Sequence, residues 1–254
     1  MTLKKTVNLL WTSGWDSTYR LVELSRMDVR VQPIYVTGMG RPSEQRELQA
    51  QKEILEALAQ KKETIAEILP VRYIDAADIP KNDKIQWAYD EIKKTVALGI
   101  QYETLAQCAA MFDSVEIGSE GGLEQNLRMT EAINLCGKLI ERDGTYLMDP
   151  DTANEMGQYA FSHFTFPIID KTEAQMAENI KKWGYEDVMS HIWFCHNPIN
   201  GEQCGLCRAC EVKMLNDMEW LVTEKAQKRF RKRWFLWQHF GKRFADAVCN
   251  RVYR

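Results

Sequence analysis

Long hydrophobic runs are missing from this sequence of 254 residues. No apolar stretch approaches the roughly 20 residues of a membrane-spanning helix, so no membrane contact is expected. The N-terminus lacks a secretory signal pattern, because Lys4 and Lys5 precede only a short strand-like run and then polar residues. Internal repeats and low-complexity tracts are missing too, which excludes repeat architectures. The composition is that of a soluble globular protein, with the cytoplasm as the expected location.

The seven cysteines are not distributed like a disulfide framework. Such frameworks belong to small secreted domains, whereas this chain is long enough to bury the core of one α/β domain with a small appendage. Four of the cysteines lie close together in the sequence and indicate a metal site. They are Cys195, Cys204, Cys207 and Cys210, which we call the cysteine cluster.

The cluster has the spacing of a structural zinc site, C-x8-C-x2-C-x2-C. Thiolates two residues apart on a turn converge on a tetrahedral ion, and a fourth from a short loop closes the shell. A redox pair or a chance spacing is the alternative. Because four sulfurs leave no open coordination position, we expect a structural Zn²⁺, with His191 and His196 beside it or exposed. Cys108, Cys136 and Cys249 are expected in helical cores.

The net charge of −3 hides an uneven distribution. From Thr223 to Arg254, ten Lys or Arg accompany only Glu224 and Asp246, so this tail carries about +8 and the remainder about −11. The tail and the body are therefore expected to do different jobs. The predicted parts are an α/β domain (1–185), a zinc-binding element (186–222) and a basic, aromatic, helical tail (223–254).

Cations and aromatic residues alternate in the tail at 228–237. They could follow a nucleic-acid backbone while the rings stack on bases. The favoured alternative is a terminal helix that packs on the body or on another subunit, with its cations in solvent. A positive surface for an acidic protein is a third interpretation. The aromatic side chains at near-helical spacing are Phe230, Trp234, Trp237 and either Phe240 or Phe244.

Hydrophobic periodicity predicts strands alternating with helices. This order implies parallel pairing with right-handed crossovers in a doubly wound sheet, with ligands at the carboxyl ends of the strands. The predicted strands are 7–11, 31–37, 69–74 and 114–118, and 164–169 is a strand or a buried loop. The predicted helices are 19–26, 44–68, 78–96 (partly irregular at Pro80), 102–112, 127–140 and 172–183, the last with a Thr172–Gln175 cap.

Small and polar residues link the first predicted strand to the first predicted helix. Ser13 and Gly14 let the backbone turn sharply, so that the first N–H groups of the helix face an anion. Ser17 and Thr18 add hydroxyl donors. This pattern predicts a phosphate-binding turn. The alternative is an ordinary strand-to-helix turn capped by Asp16.

These residues resemble a known family. Thr12-Ser13-Gly14-Trp15-Asp16-Ser17 is similar to the S-G-G-x-D-S loop of the PP-loop family, the N-type ATP pyrophosphatases, with Thr and Ser in its first two positions. Within that group, the cysteine cluster and its aromatic lead-in resemble the 7-cyano-7-deazaguanine synthases. The resemblance covers residues 6 to 215. Its further segments are His-Ile-Trp-Phe-Cys at 191–195, Cys-Gly-Leu-Cys-Arg-Ala-Cys at 204–210, Gln-Arg-Glu-Leu at 45–48 and Phe-Pro-Ile-Ile at 166–169.

The resemblance implies an adenine nucleotide alpha hydrolase-like fold and an ATP-dependent C–N ligase. Such an enzyme adenylates a carboxylate and releases pyrophosphate, after which ammonia or an amine displaces AMP. In the synthases the amide is activated again and dehydrated to a nitrile. The implied cofactors are ATP, Mg²⁺ and Zn²⁺.

The resemblance also implies roles for individual residues. Asp16 would hold Mg²⁺ or orient the loop, and Lys171 would replace the family lysine, whose position is occupied by Glu173. The expected catalytic residues are Asp16, Ser17 and Lys171. The expected nucleotide-binding residues are Thr12, Ser13, Gly14, Trp15, Asp16, Ser17, Thr18, Val36 and Thr37, the last two through their backbone at the adenine. The expected substrate-facing residues are Gly118, Ser119 and Glu120, and the expected metal ligands are Cys195, Cys204, Cys207 and Cys210.

Three departures from the family pattern leave the substrate open. Residues 118–126 lack the Tyr-Pro-Asp-Cys-Arg-like segment of the synthases, Glu173 occupies the lysine position, and Trp15 stands where a smaller residue is common. The expected partners are a deazapurine-like carboxylate, a protein or RNA acceptor reached through the tail, and a second copy in a homodimer. The alternatives are a tRNA-modifying thiolase of the same fold, which would need a free cysteine beside the loop, and a non-catalytic protein that binds a nucleotide or RNA.

Overall fold

A central, mostly parallel sheet organises the protein in a computed structural model that describes residues 4–119, 121 and 128–253. Its strands are β1 (Thr6–Leu10), β2 (Arg30–Thr37), β3 (Glu67–Ile68), β4 (Arg72–Asp75), β5 (Val115–Ile117), β6 (Leu139–Arg142), β7 (Thr145–Met148) and β8 (Phe164–Thr165). They lie in the order β3-β2-β1-β5-β8-β7-β6, and β4 also pairs with β2. Only the pairs made by β7, with β6 and β8, are antiparallel among the described strands.

Helices follow the strands in alternation, as predicted. They are α1 (Trp15–Ser25), α2 (Glu44–Ala59), α3 (Asp83–Lys93), α4 (Gln101–Ala109), α5 (Arg128–Cys136), α6 (Glu155–Ala160), α7 (Glu173–Trp183), α8 (Glu186–Met189), α9 (Arg208–Leu215), α10 (Glu224–Phe240) and α11 (Lys242–Tyr253). Two short 3₁₀ turns lie at Ala76–Asp78 and Glu219–Leu221. No helix in the described ranges is long and apolar enough to cross a membrane.

Both faces of the sheet are buried, as parallel strands require. Successive side chains of a strand point to opposite faces. Leu9 accordingly joins a core with α1, α2 and the cysteine cluster, while Leu10 joins a second core with α3, α4 and α5. The first core continues through Val222 and Ala226 to Cys249, so the predicted zinc element and tail share a core with the α/β domain.

The predicted cap of α7 is confirmed. The Thr172 hydroxyl accepts a hydrogen bond from the Gln175 N–H, and the Gln175 side chain accepts one from the Thr172 N–H. This reciprocal arrangement satisfies two donors that a helix start otherwise leaves unpaired.

The predicted helix 44–68 is wrong beyond Ala59. The N–H groups of Ile65 and Ala66 donate to the Ser25 carbonyl, which draws the chain to the sheet edge as β3. Ile65 is consequently 54% exposed. The predicted strand 69–74 begins only at Arg72, as β4. Pro70 has no N–H for a ladder, and its carbonyl accepts a hydrogen bond from the Gln32 side chain.

Two further helix predictions are corrected. Residue 127 lies outside the described residues, and the predicted helix 127–140 ends at Cys136 and gives way to the β6–β7 hairpin. The Asp143-Gly144 turn, with φ of 52° and 74°, is the hairpin signal that the helical prediction overlooked. The predicted helix 78–96 starts only at Asp83, where the Asn82 side chain caps it.

Candidate functional site

A cavity of about 580 Å³ lies at the carboxyl ends of β1, β2 and β5. This volume is in the range of small-molecule sites, and the position is where open α/β sheets bind ligands. The turn before α1 forms one wall and the end of β2 forms another. A third wall comes from residues around the cysteine cluster, including Trp193, Phe194 and Val212. The predicted turn and the predicted metal element therefore meet at one cavity.

Helix α1 begins at Trp15, four residues earlier than predicted. The reason is Ser13, whose φ of 58° turns the chain so sharply that the helix starts at once. Gly14 is the N-cap residue and no side chain caps the helix, so the interpretation of Asp16 as a cap is wrong. The first N–H groups of the helix have no intrahelical acceptor, and Gly14, Trp15, Asp16 and Ser17 line the cavity.

Ser13 holds the turn in place and does not face the cavity. Its side chain is fully buried, and its hydroxyl lies 2.5 Å from the Thr12 carbonyl and 3.2 Å from the Glu47 carbonyl, both of which are acceptors. Its own carbonyl accepts a hydrogen bond of 2.9 Å from the Trp193 N–H. These bonds stabilise a left-handed conformation that is unfavourable for a residue with a side chain.

The two predicted hydroxyl donors have different environments. Ser17 lines the cavity, and its Oγ accepts a 3.3 Å hydrogen bond from the Thr12 N–H. Thr18 is fully buried and lies outside the cavity, where its Oγ1 accepts a hydrogen bond of 3.0 Å from the Trp11 indole. Of these two residues, Ser17 is therefore the one that lines the cavity and can contact a ligand there.

The two residues predicted to contact adenine, Val36 and Thr37, also have different environments. Val36 lines the cavity, but its carbonyl accepts a 3.4 Å hydrogen bond from Arg41. Thr37 lies outside the cavity, where its hydroxyl donates to the Ile74 carbonyl. Of these two residues, Val36 is therefore the one that a ligand in the cavity could contact.

Gly118 is the member of the predicted substrate group that reaches the cavity. A Cβ at this position would lie 2.7 Å from the Ser17 nitrogen, so the end of β5 packs directly on the first turn of α1. Ser119 is buried and does not line the cavity, and Glu120 lies outside the described residues.

A lysine from α9, Lys213, lies in the cavity. It is buried and pairs with Glu173, which also accepts a 2.8 Å hydrogen bond from Asn216. The Lys213 Nζ lies 4.7 Å from the centre of the Trp15 ring, next to the start of α1. Lys171 lies outside the cavity, with its Nζ at 3.4 Å from the Pro167 carbonyl and 3.3 Å from Asp170.

Sequence reasoning missed Lys213, although its spacing was informative. Residues three apart on a helix share a face, so Lys213 projects from the same side of α9 as Cys210.

A buried carboxylate, Glu47, braces the β2 side of the cavity. Its oxygens accept hydrogen bonds from Ser43 at 2.6 Å and Tyr35 at 2.8 Å, and it pairs with Arg41 at 3.0 Å. Burial, followed by the Glu47 charge, raises the pKa of Tyr35 above its usual range. Glu47 belongs to the 45–48 segment, and its role here is to hold the wall rigid.

The four sulfurs of the cysteine cluster converge as predicted. All are buried and lie within 4.8 Å of one another. The Sγ atom of Cys210 is 3.6 Å from that of Cys207 and 3.9 Å from that of Cys204. Zinc–sulfur bonds of about 2.3 Å in a tetrahedron would separate the sulfurs by about 3.8 Å, whereas a disulfide needs about 2.05 Å. The cluster therefore fits a metal ion such as zinc.

Backbone N–H groups surround the sulfurs. Those of Leu206 and Cys207 donate to the Cys204 sulfur at 3.2 and 3.1 Å, and that of Cys204 donates to Cys195 at 3.2 Å. Donors around a sulfur favour the thiolate, which is the form that binds metal.

The cluster is connected to the cavity through Trp193. Besides its bond to Ser13, Trp193 donates its indole N–H to the Cys195 carbonyl at 2.9 Å and packs under the Arg46 guanidinium. The loss of order at the sulfurs would therefore be transmitted directly to the turn before α1.

Gly205, inside the cluster, determines how the tail docks. Its φ is 70°, and a Cβ here would lie 2.0 Å from the Ala226 carbonyl of α10. We expect Gly205→Ala to lower the free energy of unfolding by roughly 3 kcal/mol, from left-handed strain together with the collision. Gly201→Ala is the matched control, because its φ is 75° but no atom lies within 4 Å of the added Cβ. It should cost about 1 kcal/mol. Denaturant unfolding of both variants measures the difference, and equal losses would contradict the contact.

The other predicted metal and thiol residues lie apart from the cluster. Cys108, Cys136 and Cys249 are buried in helices α4, α5 and α11, as expected. Burial raises the pKa of Cys108 and of Cys136 to about 11. None of the seven cysteines, all of which are described, lines the cavity. His196 is exposed at the cavity, and the His191 ring is 3.5 Å from Glu53.

The tail is helical, and its first half packs on the body. Phe230 is buried, and Trp234 and Trp237 are half-buried. Phe240 and Phe244 are exposed, so the predicted apolar face does not pack along its whole length. The reason is that the chain turns at Gly241 and α11 folds back on α10, which leaves the turn in solvent.

No protein-family model matches the chain, and no curated protein matches it.

Proposed function

We propose that this protein is an ATP-dependent enzyme that adenylates a carboxylate and transfers the acyl group to ammonia or an amine. It would have the adenine nucleotide alpha hydrolase-like fold and belong with the PP-loop enzymes. The observation that carries the proposal is the start of α1, which opens uncapped into the cavity at the carboxyl ends of parallel strands. Such a helix start binds phosphate through its N–H groups and its positive dipole end.

The triphosphate would lie against the first turn of α1. Trp15, Asp16 and Ser17 line this part of the cavity, where their N–H groups and the Ser17 hydroxyl would donate to the phosphates and Lys213 would supply a cation. The Asp16 carboxylate is an oxygen ligand of the kind that Mg²⁺ prefers. Donors fixed at the leaving pyrophosphate stabilise its developing charge, which is the main catalytic contribution in such chemistry.

Apolar side chains from three strand ends suit the adenine base. Leu10, Ile34, Val36 and Ile117 line the cavity beside Leu105 of α4. This wall is on the β side of the cavity, where an extended nucleotide could place its base with the phosphates at α1.

The opposite wall suits a flat substrate. Trp193 and Phe194 line the cavity from the cysteine element, and Trp15 adds a third ring. The Trp15 Nε1 is buried without a hydrogen-bond partner in the described part of the chain. A buried donor of this kind is expected to have an acceptor, which a carboxylate or a heterocycle in the cavity would supply. These features support a deazapurine-like carboxylate.

The proposed reaction has two steps, adenylation of the carboxylate and transfer of the acyl group to nitrogen. A substrate carboxylate oxygen attacks the α-phosphorus of ATP, and pyrophosphate leaves with the bonding electrons. The nitrogen of ammonia or an amine then attacks the acyl carbon, a C–N bond forms as the C–O bond to AMP breaks, and the nitrogen loses a proton. A bound Zn²⁺ would hold the wall in place and take no part in these steps.

The thiolase alternative has less support. That chemistry needs a reactive cysteine beside the loop, whereas the three cysteines outside the cluster are buried in helices and none lines the cavity.

An assay of the purified protein tests the proposal. With ATP, Mg²⁺, 7-carboxy-7-deazaguanine and ammonium, we expect AMP and pyrophosphate in equal amounts, with an amide or a nitrile identified by mass spectrometry. Ser17→Ala and Asp16→Ala should each lower the rate on the order of 100-fold, through lost phosphate and Mg²⁺ contacts. Thermal unfolding shows whether these variants remain folded. Turnover at the level of both variants would contradict adenylation of this substrate.

A further inference from the structure

The turn between α10 and α11 carries a row of exposed rings that the proposed function does not use. Phe235, Phe240 and Phe244 are 55%, 62% and 49% exposed. With His239 they form a continuous series, because neighbouring ring centres are 4.1 Å (Phe235–His239), 6.3 Å (His239–Phe240) and 5.3 Å (Phe240–Phe244) apart. We call these four residues the ring row. The His239 Nδ1 lies 2.8 Å from the Phe235 carbonyl, which holds the ring in place.

The segment of the chain that carries the ring row has charges of one sign. The sequence has no Asp or Glu between Glu224 and Asp246. Asp246 is already paired with the buried Arg233 at 2.7 Å. In contrast, Lys232, Lys242 and Arg243 form no ion pair with any carboxylate in the described ranges. The Nζ atoms of Lys232 and Lys242 instead lie 5.6 Å from the Tyr253 ring and 5.0 Å from the Trp237 ring.

We propose that the ring row and its three cations bind a single-stranded nucleic acid. Exposed rings offer stacking surfaces for bases, and neighbouring unpaired cations can follow the phosphates. The complementary ligand is therefore a polyanion that also carries flat, unpaired bases. The remainder of the chain carries about −11, so the charge distribution favours binding of a polyanion at the tail.

Other occupants fit these observations less well. A second copy related by a twofold axis would place the same patch against itself, which brings Lys232, Lys242 and Arg243 of both copies together without a carboxylate between them. An anionic membrane would attract the cations, but its surface offers no bases to stack on the rings. The acidic body would also be repelled from that surface.

Fluorescence anisotropy with labelled oligouridine RNA, the matching DNA strand and fluorescent heparin tests the proposal. Heparin is a polyanion without bases, so it separates stacking from charge. The stacking variant is Phe235→Ala/Phe240→Ala/Phe244→Ala, and its control is Trp220→Ala, which removes a ring that is 49% exposed elsewhere. The charge variant is Lys232→Glu/Lys242→Glu/Arg243→Glu, and its control reverses the exposed Lys181 and Lys182. Circular dichroism establishes that the variants stay folded.

The proposal predicts a separable loss in each variant. The stacking variant should bind RNA and DNA at least about 10-fold more weakly, since stacking contributes about 1–3 kcal/mol per base, while its heparin affinity stays within about twofold. The charge variant should lose affinity for all three ligands. For the RNA and DNA strands, the slope of log K against log salt concentration should become shallower by about 0.7 for each phosphate contact removed. Equal RNA binding by the stacking variant and the wild type would overturn the proposal. Two other results with unchanged RNA binding would also overturn it. If the stacking variant no longer self-associates, the ring row is a subunit contact, and if it no longer binds phosphatidylserine vesicles, the ring row is a membrane contact.

Discussion

Loss of the cysteine cluster is expected to be the most damaging single change in this protein. Cys207→Ser should remove the bound metal, and with it on the order of 10 kcal/mol of folding free energy in the segment that the metal closes. That amount is comparable to the whole stability of a typical domain. Since Trp193 connects the cluster to Ser13, the cavity should lose its order together with the cluster. Metal analysis and calorimetry measure both effects.

A second buried cysteine provides the control for that experiment. Cys249→Ala removes a sulfur atom that is equally buried but lies in α11, outside the cluster. It should lower the free energy of unfolding by about 1 kcal/mol and leave the metal in place. A strong chelator should reproduce the Cys207→Ser result in the wild type and in Cys249→Ala. If Cys207→Ser costs no more than Cys249→Ala, or if the purified protein contains no metal, the cluster is not a structural metal centre.

After changes in the proposed phosphate-binding turn, replacement of Lys213 is expected to have the largest effect on the proposed activity. Lys213→Met removes the buried cation next to the start of α1, and we expect kcat/KM for ATP to fall on the order of 100-fold. Lys171→Met should change it little, because the Lys171 ammonium lies outside the cavity. Steady-state kinetics with both variants distinguish a cation supplied by α9 from one supplied by the 171 position.

The stability of the Lys213 variant needs its own control. Without Lys213, Glu173 would be left buried as an unpaired charge, which costs roughly 4 kcal/mol. Lys213→Met/Glu173→Gln removes that charge and retains the group that accepts from Asn216. We expect the double variant to recover most of the melting temperature and none of the activity. Recovery of activity together with stability would show that Lys213 acts only on the fold.

Local sequence patterns predicted part of this site well. The cysteine cluster was readable because its four ligands lie within one short stretch, whose spacing alone limits what they can bind. The alternation of strands and helices was readable from periodicity, and it placed the turn before α1 at the ligand end of the sheet. The Thr172–Gln175 cap is equally local, because both partners lie within four residues.

The remaining features depend on contacts between distant residues. Ser13 adopts a left-handed conformation because its bonds to Glu47 and Trp193 stabilise it, and neither partner is close in sequence. The pairing of Lys213 with Glu173 likewise depends on α9 packing beside α7, across 40 positions of the chain. The early end of α2 follows from the Ile65 and Ala66 bonds to Ser25. Helical periodicity carries no information on such pairings, which explains why 44–68 was predicted as one helix.

Helix α1 itself offers the most direct test of the proposed nucleotide site. Gly14 is the N-cap residue with φ of −74° and ψ of 172°, and an added Cβ would be no closer than 3.4 Å to its neighbours. Asp and Asn are both favoured at an N-cap with this conformation, so Gly14→Asp and Gly14→Asn should both fold at least as well as the wild type. They differ only in the charge placed where the phosphates would bind.

Calorimetric titration with Mg²⁺ and a non-hydrolysable ATP analogue measures that difference. Gly14→Asn should bind the nucleotide about 10-fold more weakly than the wild type, because its side-chain oxygen would compete with the phosphates for the first N–H groups of the helix. Gly14→Asp should bind it on the order of 100-fold more weakly than Gly14→Asn, since a carboxylate about 4 Å from a phosphate costs up to about 4 kcal/mol near a protein surface. Equal affinity of the Asp and Asn variants would contradict the placement of the phosphates at the start of α1, and with it the proposed nucleotide site.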